Sequence, residues 1–365
     1  MRISLPGSAV GAALLAMALA GTASAETFSD INTPGSSFTS LYGVLDVNVE
    51  TVTHADAAGD RLTREKSGGL SNDRFGFKGR EDLGGGLAAF FALEAGFDLN
   101  DGTQTSQGTL FNRTAEVGLA SRWGALSAGL QYTAMYDILL HYDPMSFSPQ
   151  YTWLPSSGSS DSMAFKARVN NSVKYVGHAG GLTVIGDYSF GNDPASFQSS
   201  AAYGAGLEYR YRGFGVGLAY DYRNGAINAA GLHAKTSNWS ASARQAIGPA
   251  VLMGGYEHYL SEPVKGASAT AGLWFGGVRY AVSPRVKLTA AAYYQQAGQS
   301  GVSNALMGVL SGQYHLSRRT DLYATLAYAG ATHNGDGSYT AVGVTKSTAF
   351  MAVQTAATLG IRHRF

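Results

Sequence analysis

The residues able to do chemistry in this chain are dispersed rather than gathered. Eight histidines occur, and no two stand at a His-x-x-x-His spacing that would hold zinc. Gly343-Val344-Thr345-Lys346-Ser347 comes nearest to a phosphate-cradling loop, but it lacks the glycine before the lysine. There is no Gly-x-Ser-x-Gly elbow to present a nucleophilic serine. Cysteine is absent, which removes thiolate ligands, thiol nucleophiles and disulfides. The charged residues instead alternate with apolar ones. Asn72, Arg74, Lys78 and Arg80 share one face of a period-two segment, and Phe75 and Phe77 take the other. Charge displayed in this way can line a watery passage and bias ions by sign. No cofactor and no metal site are expected, and the chain is expected not to be an enzyme.

The elements that position such charges are strands. From Phe214, the residues Val216, Leu218, Tyr220 and Tyr222 fall on one face, opposite Gly215, Gly217, Ala219, Asp221 and Arg223. Leu207, Tyr209 and Tyr211 alternate with Glu208, Arg210 and Arg212, and Val286 to Gln295 repeats the pattern. About 16 such segments can be counted, each near the roughly 9–11 residues that a tilted membrane strand requires. Short links fall at Asp82–Gly86, Arg122–Gly124, Ala179–Gly181, Arg212–Gly213, Gly248–Pro249, Ser283–Arg285 and Ser317–Arg319. Long ones fall near 54–67, 100–109, 134–168, 191–200, 223–234, 261–267, 297–302 and 332–347. Tight turns at one end and long loops at the other predict a closed, 16-stranded antiparallel transmembrane β-barrel. Closure satisfies every backbone group, which lipid cannot do.

Composition agrees with this architecture. Charged residues make up 14% of the chain, against about 25% in soluble domains. Glycine accounts for 48 of 365 residues, and hydrophobic residues are an ordinary 45% without long runs. Lys+Arg is 26 and Asp+Glu 25, so no basic surface invites nucleic acid. Arg2, an apolar stretch from Ala9 to Ala20 and Ala23-Ser24-Ala25 have the order of a secretory leader. Residues 1–25 are therefore expected to be a signal peptide, and 26–365 the barrel.

The linker 134–168 stands apart. It carries Met135-Tyr136-Asp137-Ile138-Leu139-Leu140, then Tyr151, Trp153, Leu154 and Phe165. So long and apolar a loop is seldom left in solvent. The expectation is that it folds inward, packs on the barrel wall and narrows the pore. Tyr42, Phe90, Phe91, Tyr132, Tyr175, Phe190, Tyr256, Trp274, Tyr314 and Tyr328 lie near strand ends, where interfacial girdles form.

Several segments together resemble the Gram-negative general porins, most closely those of β-proteobacteria and the neisserial type. They are Leu41-Tyr42-Gly43-Val44-Leu45-Asp46, Asn72-Asp73-Arg74-Phe75-Gly76-Phe77-Lys78-Gly79 and Glu81-Asp82-Leu83-Gly84-Gly85-Gly86-Leu87. To these are added Leu110-Phe111-Asn112-Arg113-Thr114-Ala115, Asn170-Asn171-Ser172-Val173-Lys174-Tyr175 and the ending Leu359-Gly360-Ile361-Arg362-His363-Arg364-Phe365. The resemblance spans essentially the whole mature chain. It implies a Gram-negative outer-membrane location, a homotrimer, and passive diffusion of small hydrophilic solutes and ions. The implied partners are outer-membrane lipid, lipopolysaccharide and the barrel-assembly machinery.

The resemblance also implies a constriction in which basic wall residues face acids on the inward loop. Arg74, Lys78, Arg113 and Arg168 match the basic wall; Asp137, Asp143 and Asp161 supply the loop acids. Counted so, the basic side prevails and a modest anion preference is expected. Phe365, with Ile361 and Leu359 on its face, resembles the barrel-assembly signal. Two departures stand out. Pro144-Met145-Ser146-Phe147 has no glutamate where enteric relatives carry one. And if Arg113 faces the lumen, parity turns Glu116 outward, unless the strand bulges, Arg113 is misassigned, or a neighbouring subunit shelters the carboxylate. The rival readings are a substrate-specific channel for oligosaccharide, phosphate or organic anions, and an adhesin acting through its loops.

Overall fold

The computed structural model describes residues 37–156, 165–194, 196–297, 304–331 and 353–365. The expected leader 1–25, the segment 26–36, Asp161 and the loop 332–347 lie outside the described residues.

The alternating segments form β1 (Phe38–Val52), β2 (Leu62–Ser67), β3 (Arg74–Gly84), β4 (Leu87–Gly96), β5 (Thr114–Ser121) and β6 (Gly124–Tyr132). A short helix α1 (Ala134–Leu139) follows, then a two-residue parallel pair, β7 (Pro155–Ser156) with β8 (Phe165–Lys166). The wall resumes with β9 (Arg168–Ala179), β10 (Leu182–Ser189), β11 (Ala202–Tyr211), β12 (Phe214–Asn224), β13 (Lys235–Ile247) and β14 (Ala250–Glu262). It ends with β15 (Ala269–Ser283), β16 (Val286–Ala297), β17 (Ala305–His315), β18 (Thr320–Ala331) and β19 (Val353–Arg364). Neighbouring wall strands pair antiparallel, β6 with β9 across the long linker. β19 returns to β1, with Val44 opposite Arg364 and Val52 opposite Ala356.

β1 pairs with β2 over Val47–Val52 and with β3 over Phe38–Val44. These two strands thus share one place in the wall, and the 17 strands of the sheet fill sixteen positions of a closed barrel. This corrects one expectation. The linker foreseen at 54–67 is shorter, because Leu62–Ser67 adds to β1; the chain then departs from the ladder at residues 68–73 before β3 begins.

Alternation sorts the two faces. Leu119, Leu126, Leu218, Leu310, Leu326 and Leu359 are exposed on the outside. Asp46, Asn48, Glu50, Asp187, Asp221, Glu257, Thr325 and Thr358 are buried on the opposite face. Apolar-out, polar-in is the arrangement that lipid selects. The short turns match the sequence reading. Arg212 and Gly213, with φ of 45° and 87°, supply the two positive values that a type I′ hairpin needs.

Three aromatics assigned to the girdles lie elsewhere. Phe90 is 2% exposed and packs with Ala120 and Ala125, Tyr42 bonds Glu94, and Tyr132 meets Arg113 and Arg168. Strand parity points Phe90 and Tyr42 inward, while Tyr132 is turned inward by the irregularity of β6 between Gly129 and Gln131; nearness to a strand end says nothing of face. Tyr175, Phe190, Trp274, Tyr314 and Tyr328 are exposed on the outside.

Candidate pore constriction

Period two on β3 turns Arg74 and Lys78 inward and leaves Phe77 exposed on the outside. On β4 the same rule gives an inner face of Ala88, Phe90, Ala92 and Glu94. Glu94 is buried and accepts from Arg113 Nε at 2.7 Å, with Arg74 Nε at 3.3 Å. Tyr42 donates to it at 3.1 Å. One wall carboxylate therefore holds two of the four basic residues singled out in the sequence.

Arg113 and Glu116 both face inward. The β4–β5 ladder opens at Thr114, opposite Glu94, so parity does not extend back to Arg113. The Arg113 backbone N–H donates to Glu94 O at 3.1 Å as the chain enters the strand. Its side chain is then free to turn to the same side as Glu116, and the supposed conflict of faces disappears.

Arg168 opens β9. Its guanidinium lies 4.3 Å from the Tyr132 ring centroid and donates to the Tyr132 hydroxyl at 2.5 Å, which also accepts from Arg113 at 3.0 Å. A planar guanidinium can stack on a ring and donate at once, which an ammonium cannot. Tyr132 in turn stacks on Tyr136 of α1, with centroids 4.1 Å apart, and Tyr136 meets Phe147 at 4.8 Å. Lys174, on the inner face of β9, pairs with Asp137 at 3.0 Å.

These groups converge. A recess of ≈ 90 Å³ is lined by Tyr42, Leu70, Ser71, Asn72, Arg74, Lys78, Glu94, Arg113, Thr114, Glu116, Tyr132, Tyr136, Asp137, Ser146, Phe147 and Lys174. Asp143 does not line it. Its buried carboxylate accepts from Phe147 N at 2.7 Å, Met145 N at 3.3 Å and the Tyr293 hydroxyl at 2.5 Å. Burial pushes that carboxyl above the usual range, against the pull of these donors. Asp143 thus braces a turn and ties it to β16.

Further ties fasten the segment 134–156 to the wall. Arg279 on β15 donates to the carbonyls of Asp143 at 2.6 Å and Pro144 at 2.8 Å. The Ala134 N–H donates to Asp187 on β10 at 2.7 Å. The Ser148 hydroxyl donates to Gly69 O at 2.7 Å, and Tyr151 bonds Thr358 on β19. Met135, Ile138, Leu139, Leu154 and Phe165 are almost wholly buried in one cluster with Leu273, Phe275, Met307 and Val309. Fully burying a side chain of this size contributes roughly 1.5–3 kcal/mol.

Sequence reasoning missed Glu94, Lys174, Tyr132 and Arg279. Glu94 had a signal: a lone carboxylate in register with alanines on an otherwise apolar strand. Arg279 had only its strand parity.

A closed barrel, apolar outside, with a charged recess inside, defines an outer-membrane channel. Residues 11–336 match the family model described as Gram-negative porin. Outer membrane porin protein 32 of Delftia acidovorans is 28% identical, with 79% of this chain and 82% of that protein covered. Major outer membrane protein P.IB of Neisseria meningitidis serogroup B is 25% identical, with 89% and 93% covered. Among solved structures, an anion-selective porin from Comamonas acidovorans superposes with a TM-score of 0.78 at 25% identity, covering 90% of this chain and 100% of that one. The trimer form of OmpT of Vibrio cholerae gives 0.65 at 17% identity, covering 91% and 100%. The chain belongs to the Gram-negative porin family. It is a diffusion channel of the outer membrane.

Proposed function

We propose that the recess between the basic face of β3–β9 and the segment 134–156 is the narrowest part of a general pore, and that this pore prefers anions modestly. The observation that carries this is the charge of the site. Arg74, Lys78, Arg113 and Lys174 line the recess with Glu94, Glu116 and Asp137, and Arg168 stands at its edge on Tyr132. Five cations meet three carboxylates. Glu94 and Asp137 already take part of that charge, so the preference is modest. The anion selectivity of the Comamonas acidovorans relative points the same way.

The segment 134–156 is read as a constriction loop within the lumen, because the wall residues it touches, Asp187, Phe275, Arg279, Tyr293 and Thr358, belong to the polar face of their strands. Charges opposed across such a gap orient water. An apolar solute must break that order to pass, so small hydrophilic solutes are favoured, and no catalytic step is involved. We read the protein as a homotrimer, made with leader 1–25, with Phe365, Ile361 and Leu359 as the terminal signal read during assembly.

The test is single-channel recording of refolded protein in a KCl gradient. Conductance steps in threes and a reversal potential on the chloride side are expected. A reversal potential on the potassium side overturns the anion preference.

A further inference from the structure

Residues 68–73 leave the wall beside the seam where the barrel closes. Val47 pairs with Ser67 and Val44 with Arg74, so these six residues stand opposite only Leu45 and Asp46 of β1. So large an excess has no partners in the ladder and must swing to one side of it. It swings into the lumen. The Ser71 hydroxyl accepts from Arg362, on the inner face of β19, at 2.8 Å. Gly69 lies against the Tyr323 hydroxyl, where any side chain would strike it. Leu70 is 5% exposed, in the same cluster that buries the segment 134–156. The Ser148 hydroxyl of that segment donates to Gly69 O at 2.7 Å, so the two inward pieces brace each other.

One carboxylate organises this lobe. Asp46 is wholly buried. Its side chain accepts from the backbone N–H groups of Ser71 at 2.7 Å, Leu70 at 3.0 Å and Gly69 at 3.3 Å, and from the Tyr323 hydroxyl at 2.5 Å. Its carbonyl accepts from Gly68 N at 2.7 Å, and its own N–H donates to the Asp73 side chain. Hydrogen bonds to an ionised acceptor are roughly twice as strong as neutral ones, and three successive N–H groups aimed at one carboxylate fix the backbone that carries them. Asp46 itself does not line the recess. Leu70, Ser71 and Asn72 do, together with Ser146 and Phe147 of the segment 134–156. All three are uncharged, so the lobe lends the recess bulk and no charge.

We infer that residues 68–73 are a second constriction element and that Asp46 is the positioning residue that holds it, so that this carboxylate sets the size of solute admitted while the charged wall sets the preferred sign. The inference rests on the reading of the recess as the narrowest part of the pore, and deepens it. Size and charge then belong to different residues. Without the Asp46 carboxylate the lobe loses the acceptor that its three N–H groups share, and each charge-assisted bond lost shifts such a local equilibrium by roughly tenfold or more. The lobe then no longer keeps its place in the lumen, and the passage beside Phe147 widens.

The experiment compares wild type, Asp46→Ala, Asp46→Asn and Phe147→Ala, each verified as folded by heat-modifiable mobility on gels. Single-channel conductance in KCl is measured together with the entry of neutral mono-, di- and trisaccharides into proteoliposomes. Asp46→Ala should raise conductance and the entry of the larger sugars relative to the monosaccharide. Asp46→Asn, which keeps one acceptor oxygen, should fall between it and the wild type. The reversal potential should stay on the chloride side in both. An unchanged or smaller sugar ratio in Asp46→Ala, with a larger one in Phe147→Ala, overturns the lobe and leaves the constriction reading intact. No change in either variant overturns that reading as well. A swing of Asp46→Ala to the potassium side would mean that the lobe governs charge rather than size, and overturns the division of roles. Should Asp46→Ala not fold, Asn72→Cys takes its place, its thiol being the only one in the chain. Labelling it with a neutral maleimide should lower conductance and leave the sign of the reversal potential as it was; full conductance after complete labelling, verified by mass, overturns the lobe.

Discussion

Glu94 shows how one residue sets the balance of the site. It is the acid on which both Arg74 and Arg113 converge, and it sits on the wall rather than on the loop. Glu94→Gln leaves the two guanidiniums without their carboxylate and raises the cationic excess of the recess from two to three. The reversal potential in a KCl gradient should move further to the chloride side. The variant should also be less stable to denaturant, since removing one partner of a buried pair costs about 3–5 kcal/mol. An unchanged reversal potential would mean that Glu94 does not face the ion path. Asp137 and Asp143 make the complementary point. The sequence treats them alike, six residues apart on one loop, yet one reaches Lys174 in the recess and the other ends buried under Tyr293. Their fates depend on the turn between them, which no periodicity describes.

At the scale of elements, the inner wall is shaped by missing side chains. A Cβ on Gly206 of β11 would stand 2.7 Å from Ile138, and one on Gly217 of β12 would stand 2.6 Å from Tyr142. On Gly277 of β15 it would meet Pro144 at 2.8 Å. These glycines form a shallow track along which α1 and the turn after it lie close to the strands. The high glycine content, legible at once, thereby gains a purpose that composition alone did not give. Gly217→Leu should push the segment off the wall and into the pore. Single-channel conductance should fall, and stability should drop by about 1–3 kcal/mol, the usual range for overpacking. Gly186→Ala, where nothing lies within 4 Å, is the control and should leave conductance unchanged. If Gly217→Leu conducts like the wild type, the segment does not border the ion path.

At the scale of the molecule, closure joins the ends of the chain. Gly43 and Phe365 exchange two backbone hydrogen bonds of 3.1 Å, and the Phe365 ring lies against Gly43, where any side chain would strike it. The glycine of the Leu41-Tyr42-Gly43 motif is therefore the seat of the terminal aromatic. The proposed selectivity of the lumen so enclosed is an electrostatic bias, not a fitted cage. That bias should depend on salt. Raising KCl from 0.1 to 1 M shortens the Debye length from about 10 to about 3 Å. The anion-to-cation permeability ratio should then move towards one. A ratio that stays constant would point to selection by size or direct coordination.

The sequence by itself determined the class of fold. Alternation with period two, seven tight links and long links between them permit little else, because a strand with one apolar face in lipid has to join a closed ladder. It also determined which face most charges take, as Arg74 and Lys78 illustrate. The tertiary structure decided the pairing. Asp46 meets Tyr323 across 277 residues, and Glu94 gathers one arginine from β3 and another from the residue that leads into β5. Parity is local, but the partner across a lumen depends on how the strands stagger when the barrel closes and on where an apolar loop comes to rest. It failed locally as well where the ladder ends: Arg113 lies one residue before β5 and makes the terminal backbone bond to β4, and with no paired residue before it the rule of alternating faces does not hold its side chain.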